Sequence, residues 1–270
     1  MKQYPNAIKK LFYEPLLITQ ARHAAICRVL EARMAGQMPN PVDDDDEDED
    51  EEDGDYEFNG RDMIIRVHGV LVGHASDIPM SSCGCGLDQV SEKIDFALGK
   101  RKVQNIIFDF NTPGGSVTGI PELGRKIAGI ASKATIAFCD SECCSGGLWL
   151  AAQCQQFLAT TSASIGSIGV WTAYTDLSRQ MAMQGESVQA ISAGKYKLMG
   201  AYWKPLSDEE KKMLQDDVDK IYGQFKEAVN TRRQVDDEFM QGQIFDGETA
   251  REVGIVDELV EGLQEILSGD

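Results

Sequence analysis

From about Met63 onward the apolar positions follow two alternating patterns. Short runs rich in β-branched and aromatic residues, "DMIIRVHGVLVG", "VQNIIFDF", "ATIAFCD" and "QFLATT", have the length and composition of strands. Between them, apolar residues recur at helical spacing over Gln89–Leu98, Pro121–Ile130 and "GLWLAAQC". Further on, "SASIGSIGVWTAYTD" and "SVQAIS" read as strands flanking a helix over Leu177–Met183. Ser207–Arg233 is a long amphipathic helix, opened by Ser207 with Glu210 three positions on, the pattern of a capping box. "QIFDGETAREVGIVDELV" closes the chain with strand, turn, helix and strand. Strands alternating with helices at these lengths predict an α/β fold with crossover connections. No period of the solenoid or propeller type is present.

Residues 1–42 read as a helical appendage. In "PLLITQARHAAICRVLEARMAG", Leu17, Ala21, Ala24, Ala25, Cys27, Leu30 and Met34 fall near one helical face, with Thr19 as N-cap and Gly36 as stop. The acidic run Asp43–Asp53 follows, and residues 43–59 are expected to be a solvated linker, with a tail for a basic partner as the alternative. That run changes the meaning of the net charge: without its eleven acidic residues, −18 falls to −7. Residues 60–270 are then one mildly acidic domain, 42% of the chain being hydrophobic. No basic stripe points to nucleic acid, and no apolar run reaches a membrane span. Tyr13, Glu14 and Pro15 interrupt the N-terminal apolar stretch, so a secretory signal is not expected. Seven scattered cysteines without such a signal read as reduced thiols in a cytosolic setting. "CGCG" at residues 83–86 lacks zinc-ligand spacing and reads as a Gly-rich loop, with no metal and no cofactor expected.

Three motifs carry candidate chemistry. "NTPGGS" follows a buried strand, and Gly114 and Gly115 leave two backbone amides free to form an oxyanion hole, although Pro-Gly-Gly is also an ordinary turn. "SECCSGGLWLA" places Ser145 at a helix start, as a nucleophile or simply as a cap. Cys144 beside it is a rival nucleophile. This is not a Gly-x-Ser-x-Gly elbow. His23, His68 and His74 all precede the serine, so none stands in the order of a histidine base that follows its nucleophile. A desolvated lysine can act instead, and "ISAGKYKLMG" offers Lys195 and Lys197.

The order of "PGG", "CSGGLWLA", "SIGSIGV", "SAGKYK" and "IFDGETAREVGIVDEL" resembles the serine–lysine peptidases of the signal peptide peptidase A family, over roughly Met63–Val260. The resemblance implies the crotonase-like α/β fold shared with Clp protease subunits. It implies Ser145 as nucleophile, Lys197 as general base and Ser167 as the residue orienting the lysine. Gly114 and Gly115, with Gly146, would bind the oxyanion. Lys195 would point the other way in an extended segment. "YEPLLITQARHAAICRVLEARM" is similar to the leader of the bacteriophage head maturation proteases of that family. The implied function is a serine endopeptidase acting on extended scaffold or capsid protein, as a homo-oligomer within an assembling procapsid in the host cytoplasm, with the scaffold a separate protein. The alternatives are a signal-peptide or membrane-peptide peptidase without an anchor, a non-catalytic capsid- or scaffold-binding protein, and a crotonase-type acyl-CoA enzyme.

Overall fold

The protein is described from a computed structural model that covers residues 15–34, 56–77 and 84–268. In chain order the elements begin with β1 (Leu16–Ile18), α1 (Gln20–Met34), β2 (Tyr56–Asn59), β3 (Asp62–His68), β4 (Val70–Val72), β5 (Gly84–Gly86) and α2 (Leu87–Gly99). They continue with β6 (Asn105–Asn111), β7 (Gly114–Ser116), α3 (Ile120–Ala128), β8 (Ala134–Cys139), β9 (Glu142–Cys144), α4 (Gly146–Ala151), β10 (Gln156–Ala159) and β11 (Ser164–Gly166). The chain closes with α5 (Ser178–Met183), α6 (Asp208–Asn230), β12 (Ile244–Phe245), α7 (Gly247–Glu252), β13 (Glu258–Leu259) and α8 (Leu263–Ser268).

The apolar runs form a six-stranded sheet in the order β13-β10-β8-β6-β3-β2, parallel except for β2 against β3. Both faces are covered, which is why these strands read as nearly continuous apolar runs. Met63, Ile65, Ile106, Phe108 and Phe110 belong to the main core, while Ile64, Ile107 and Phe138 face Leu263, Ile266 and Leu267 of α8. After β3, β6, β8 and β10 the chain turns into a short strand (β4, β7, β9 or β11), followed in three of the four cases by a helix. These repeated ββα units give the mixed α/β fold of the Clp-protease and crotonase type. The short strands make two smaller sheets, β1-β7-β4-β5 and β12-β11-β9, at the carboxyl ends of the large-sheet strands. Trp149 of α4 stacks on Phe225 of α6 at 4.9 Å and holds the long helix over the core. The capping box of α6 forms as expected: Ser207 Oγ accepts from Glu210 N at 3.2 Å, and the Glu210 carboxylate accepts from Ser207 N at 2.8 Å.

Several expectations change. "DMIIRVHGVLVG" is two strands, β3 and β4, broken at Gly69, where φ is 87°. Tyr56–Asn59, placed in the linker by composition, pairs with β3. "SVQAIS" forms no strand; Val188 and Ile191 are exposed, and an alternating pattern without a neighbouring edge has nothing to pair with. In "SASIGSIGVWTAYTD" only β11 is a strand, ended by positive φ at Gly166 and Ser167. The largest difference is at the N-terminus. Leu17 is not on a helical face: Leu16–Ile18 is a strand, with Leu16 and Ile18 each 2% exposed and Leu17 0%. Three such aliphatic side chains bury about 1.5–3 kcal/mol each. The helix begins after Thr19. Gly36, Cys83 and the acidic run lie outside the described residues.

Candidate active site

Ser145 sits between β9 and α4, at the mouth of the large sheet. Its φ is 54° and ψ −115°, and it makes no side-chain cap bond to the helix. The cap reading is therefore overturned: a capping serine keeps an extended backbone and accepts from the first turn. Among the described residues, Ser145 and Ser167 are the two non-glycine positions with positive φ. Backbone strain of this kind costs about 1–3 kcal/mol and persists only where surrounding structure enforces it. β9 and β11 enforce it here, pairing in parallel with Gly166 opposite Cys144, and Ser145 N donates to Gly166 O at 2.8 Å. Ser167 follows directly, its N–H donating to Gln243 O at 2.5 Å. The Ser145 side chain is 1% exposed and its Oγ has no hydrogen-bond partner. A buried hydroxyl left unpaired costs free energy, so its reason is sought in what it can do.

The Pro-Gly-Gly turn lies beside it. A methyl group built on Gly114 would stand 3.0 Å from Gly146 N, which puts the two glycines against each other. Gly114 has φ 96°, which an L side chain rarely adopts. Thr112 builds the turn. Its Oγ1 donates to Gly69 O at 2.6 Å and accepts from Gly114 N at 3.1 Å. Its backbone N donates to Glu142 O, and its O accepts from Cys144 N. Sequence reasoning missed Thr112; the signal was its place just before Pro-Gly-Gly. It also missed Trp171, whose indole N donates to Ile18 O at 2.9 Å.

Five of the six proposed site residues, Gly114, Gly115, Ser145, Gly146 and Ser167, thus come together. Lys197 makes no hydrogen bond to Ser145 Oγ, which has no partner. It is exposed, its backbone N bonds Gly194 O at 3.2 Å, and the desolvation expected for its amine is not met within one chain. Lys195 is engaged with Glu209 at 2.6 Å, and that carboxylate raises its pKa, the wrong direction for a base. Cys144 is fully buried with its thiol toward Ser164 O at 3.6 Å. Burial pushes its pKa far up, helped by the Glu142 charge, so the thiolate a nucleophile needs is disfavoured. His68 lies at the end of β3, with Nε2 3.0 Å from the Asp109 carboxylate.

A strained serine beside a glycine turn, on repeated ββα units, is a candidate site for serine hydrolase chemistry. Comparison with known sequences agrees: the profile of Peptidase family S49 matches residues 130–267, and the chain belongs to that family, a serine-type peptidase at family level. Its relatives include the capsid assembly protease C of Escherichia phage lambda, 24% identical over 96% of this chain and 64% of that one. Others are the head-tail preconnector protein GP5 of Enterobacteria phage P21, 25% identical over 73% and 40%, and the chloroplast serine protease SPPA of Arabidopsis thaliana, 30% identical over 66% and 28%. The chain spans less than two thirds of the length of each. Among the described residues no helix is long and apolar enough to cross a membrane.

Proposed function

We propose that this chain is a serine endopeptidase using a Ser145–Lys197 dyad to process scaffold or capsid protein in an assembling phage head. The observation that carries the chemistry is the buried, unpartnered Ser145 Oγ on a strained turn beside Gly114, Gly115 and Gly146. An extended peptide lies along β7 in the place that β1 takes in the single chain. Ser145 Oγ attacks its carbonyl carbon, and the amides of Gly115 and Gly146 receive the oxyanion. Neutral Lys197 takes the serine proton and passes it to the leaving amine; water then hydrolyses the acyl-enzyme.

The lysine side is supported by elimination and by surface character. Lys195 is held charged by Glu209, whereas the Lys197 amine has no partner among the described residues. Its segment exposes Met183, Val188, Ile191, Tyr196 and Tyr202. An apolar surface of this kind suits a neighbouring subunit; a homo-oligomer would cover it, desolvate Lys197 and bring it to Ser145. The names of two phage relatives, a capsid assembly protease and a head-tail preconnector protein, support a capsid-related protein substrate; a place in the procapsid within the host cytoplasm belongs to the same proposal.

The experiment is separate Ser145→Ala and Lys197→Ala substitution in the assembled protein, with cleavage of co-expressed capsid and scaffold proteins followed by mass spectrometry. Each is expected to lower the rate by about 10³-fold or more. The wild-type rate should fall as the pH is lowered, because a protonated base cannot take the serine proton. Undiminished cleavage in either variant would sink the dyad.

A further inference from the structure

The groove beside Ser145 is filled by the chain's own leader. On one side β1 pairs antiparallel with β7, Leu16 opposite Ser116, Leu17 opposite Gly115 and Ile18 opposite Gly114. On the other side Leu16 exchanges both backbone bonds with Trp171: its N donates to Trp171 O at 2.9 Å and its O accepts from Trp171 N at 3.2 Å. Residues along a strand alternate the direction of their amide and carbonyl. Leu16 spends both on Trp171, so Leu17 turns both toward Gly115. The Leu17 carbonyl oxygen is thereby aimed at the Gly115 amide. It is also the nearest atom to the missing side chain of Gly114, and 3.4 Å from where a Gly146 Cβ would stand. These are the three glycines assigned to the oxyanion, and Ser145 Oγ is buried among them without a partner. The downstream side is clamped as well. Thr19 N donates to Pro113 O at 3.3 Å, the Trp171 indole donates to Ile18 O, and Arg22 pairs with Glu142 at 3.1 Å.

We infer that β1 is a built-in substrate: the leader lies in the acceptor groove in productive register, and Leu17–Ile18 is the bond presented to Ser145. This rests on the serine peptidase reading and adds to it a first substrate and a preference, an extended segment whose reacting carbonyl belongs to a large aliphatic residue. The step balances as ordinary acyl transfer. Ser145 Oγ bonds to the Leu17 carbonyl carbon while the bond to the Ile18 nitrogen breaks, and the hydroxyl proton passes through the lysine to that nitrogen. Water then frees a Leu17 carboxylate and restores the serine. In the single chain Lys197 is exposed and makes no hydrogen bond to Ser145 Oγ, which leaves the presented bond intact and the nucleophile covered until assembly supplies the base.

The test uses the full chain at concentrations that favour assembly, with intact-mass spectrometry and N-terminal sequencing over time. Wild type should yield a chain beginning at Ile18, and Ser145→Ala should stay whole. Two variants dislodge the strand by different means. Leu17→Asp puts a charge at a fully buried position, and Leu16→Pro removes the amide given to Trp171. Both should keep residues 17 and 18 joined. In both, Ser145 should react with a fluorophosphonate about tenfold faster than in uncut wild type, because the competent open state is no longer a minor one. Unfolding of one variant is read from its melting curve and leaves the other as the measure. If wild type cleaves a peptide in trans through Ser145, keeps Leu17–Ile18 intact and labels as fast as the variants, the inference is overturned while the peptidase reading stands. No labelling and no cleavage in any form would overturn the Ser145 assignment itself.

Discussion

Replacing Gly115 by alanine tests the geometry of the oxyanion turn without touching the nucleophile. Gly115 is the one residue of β7 in register with β4, opposite Leu71, and it also faces Leu17 of β1. A methyl group there would come within 2.6 Å of both the backbone N and the carbonyl carbon of Leu71, and closer still to its oxygen. These are backbone atoms of a buried strand, so no rotamer change relieves the clash. Ordinary contact begins near 3.4 Å, so relieving the contact with the Leu71 oxygen requires β4 and β7 to part by about 1.5 Å. A hydrogen bond of about 2.9 Å stretched by that amount is no longer one. Overpacking of this kind costs about 1–3 kcal/mol and the lost bond about 1 kcal/mol. At roughly 2–4 °C per kcal/mol, the melting temperature should fall by about 4–16 °C. The Gly115 amide moves with the strand, and loss of one oxyanion donor lowers kcat by about 10²–10³-fold. Differential scanning calorimetry and hydrolysis of a fluorogenic peptide read the two effects. Alanine at Gly115 with wild-type melting and wild-type kcat would refute the placement of this turn.

Other predictions follow from the same packing. Burial raises the Cys139 and Cys154 thiols to about 12 and the Cys143 and Cys144 thiols well above the ordinary range, so iodoacetamide near neutral pH should leave activity intact and modify these thiols only in denaturant; inactivation tracking alkylation of Cys144 in the folded protein would contradict this. Hydrogen bonds from Lys204 and from the Ser207 amide lower the Glu210 pKa. Because the folded pKa is depressed, its stabilisation is present above the ordinary carboxylate range and lost as pH falls through the folded value. The melting temperature of Glu210→Gln should therefore lie below wild type near neutrality, and the two curves should converge in acid.

The large sheet was legible because strands covered on both faces carry their apolar character in consecutive residues, as in "VQNIIFDF" and "ATIAFCD". Helix α6 was legible because its cap is written locally, in Ser207 and Glu210. Leader strand β1 was not, because its identity depends on partners far along the chain, about a hundred residues away at Gly114–Ser116 and about 155 away at Trp171, while Leu17 also falls on the helical face of Ala21, Ala24 and Ala25. "SVQAIS" shows the converse, a strand-like pattern that finds no edge. At the site, the motif order singled out Ser145, Ser167 and the glycines as candidates, and the fold places them side by side. The motif order could not reveal that Ser145 abandons its cap bond for a positive φ, since that follows from the pairing of β9 with β11. The position of Lys197 was illegible for a different reason: it lies on an exposed loop outside helix and strand, where no hydrophobic pattern in the sequence fixes its placement.

Ser145 as nucleophile, activated by Lys197, is tested most directly by treating the assembled protein with a fluorophosphonate and mapping the adduct by tandem mass spectrometry. One adduct per chain on Ser145 is expected, with none in Ser145→Ala and labelling slowed by about 10³-fold in Lys197→Ala. An adduct on any other residue, or continued proteolysis by Ser145→Ala, would contradict it.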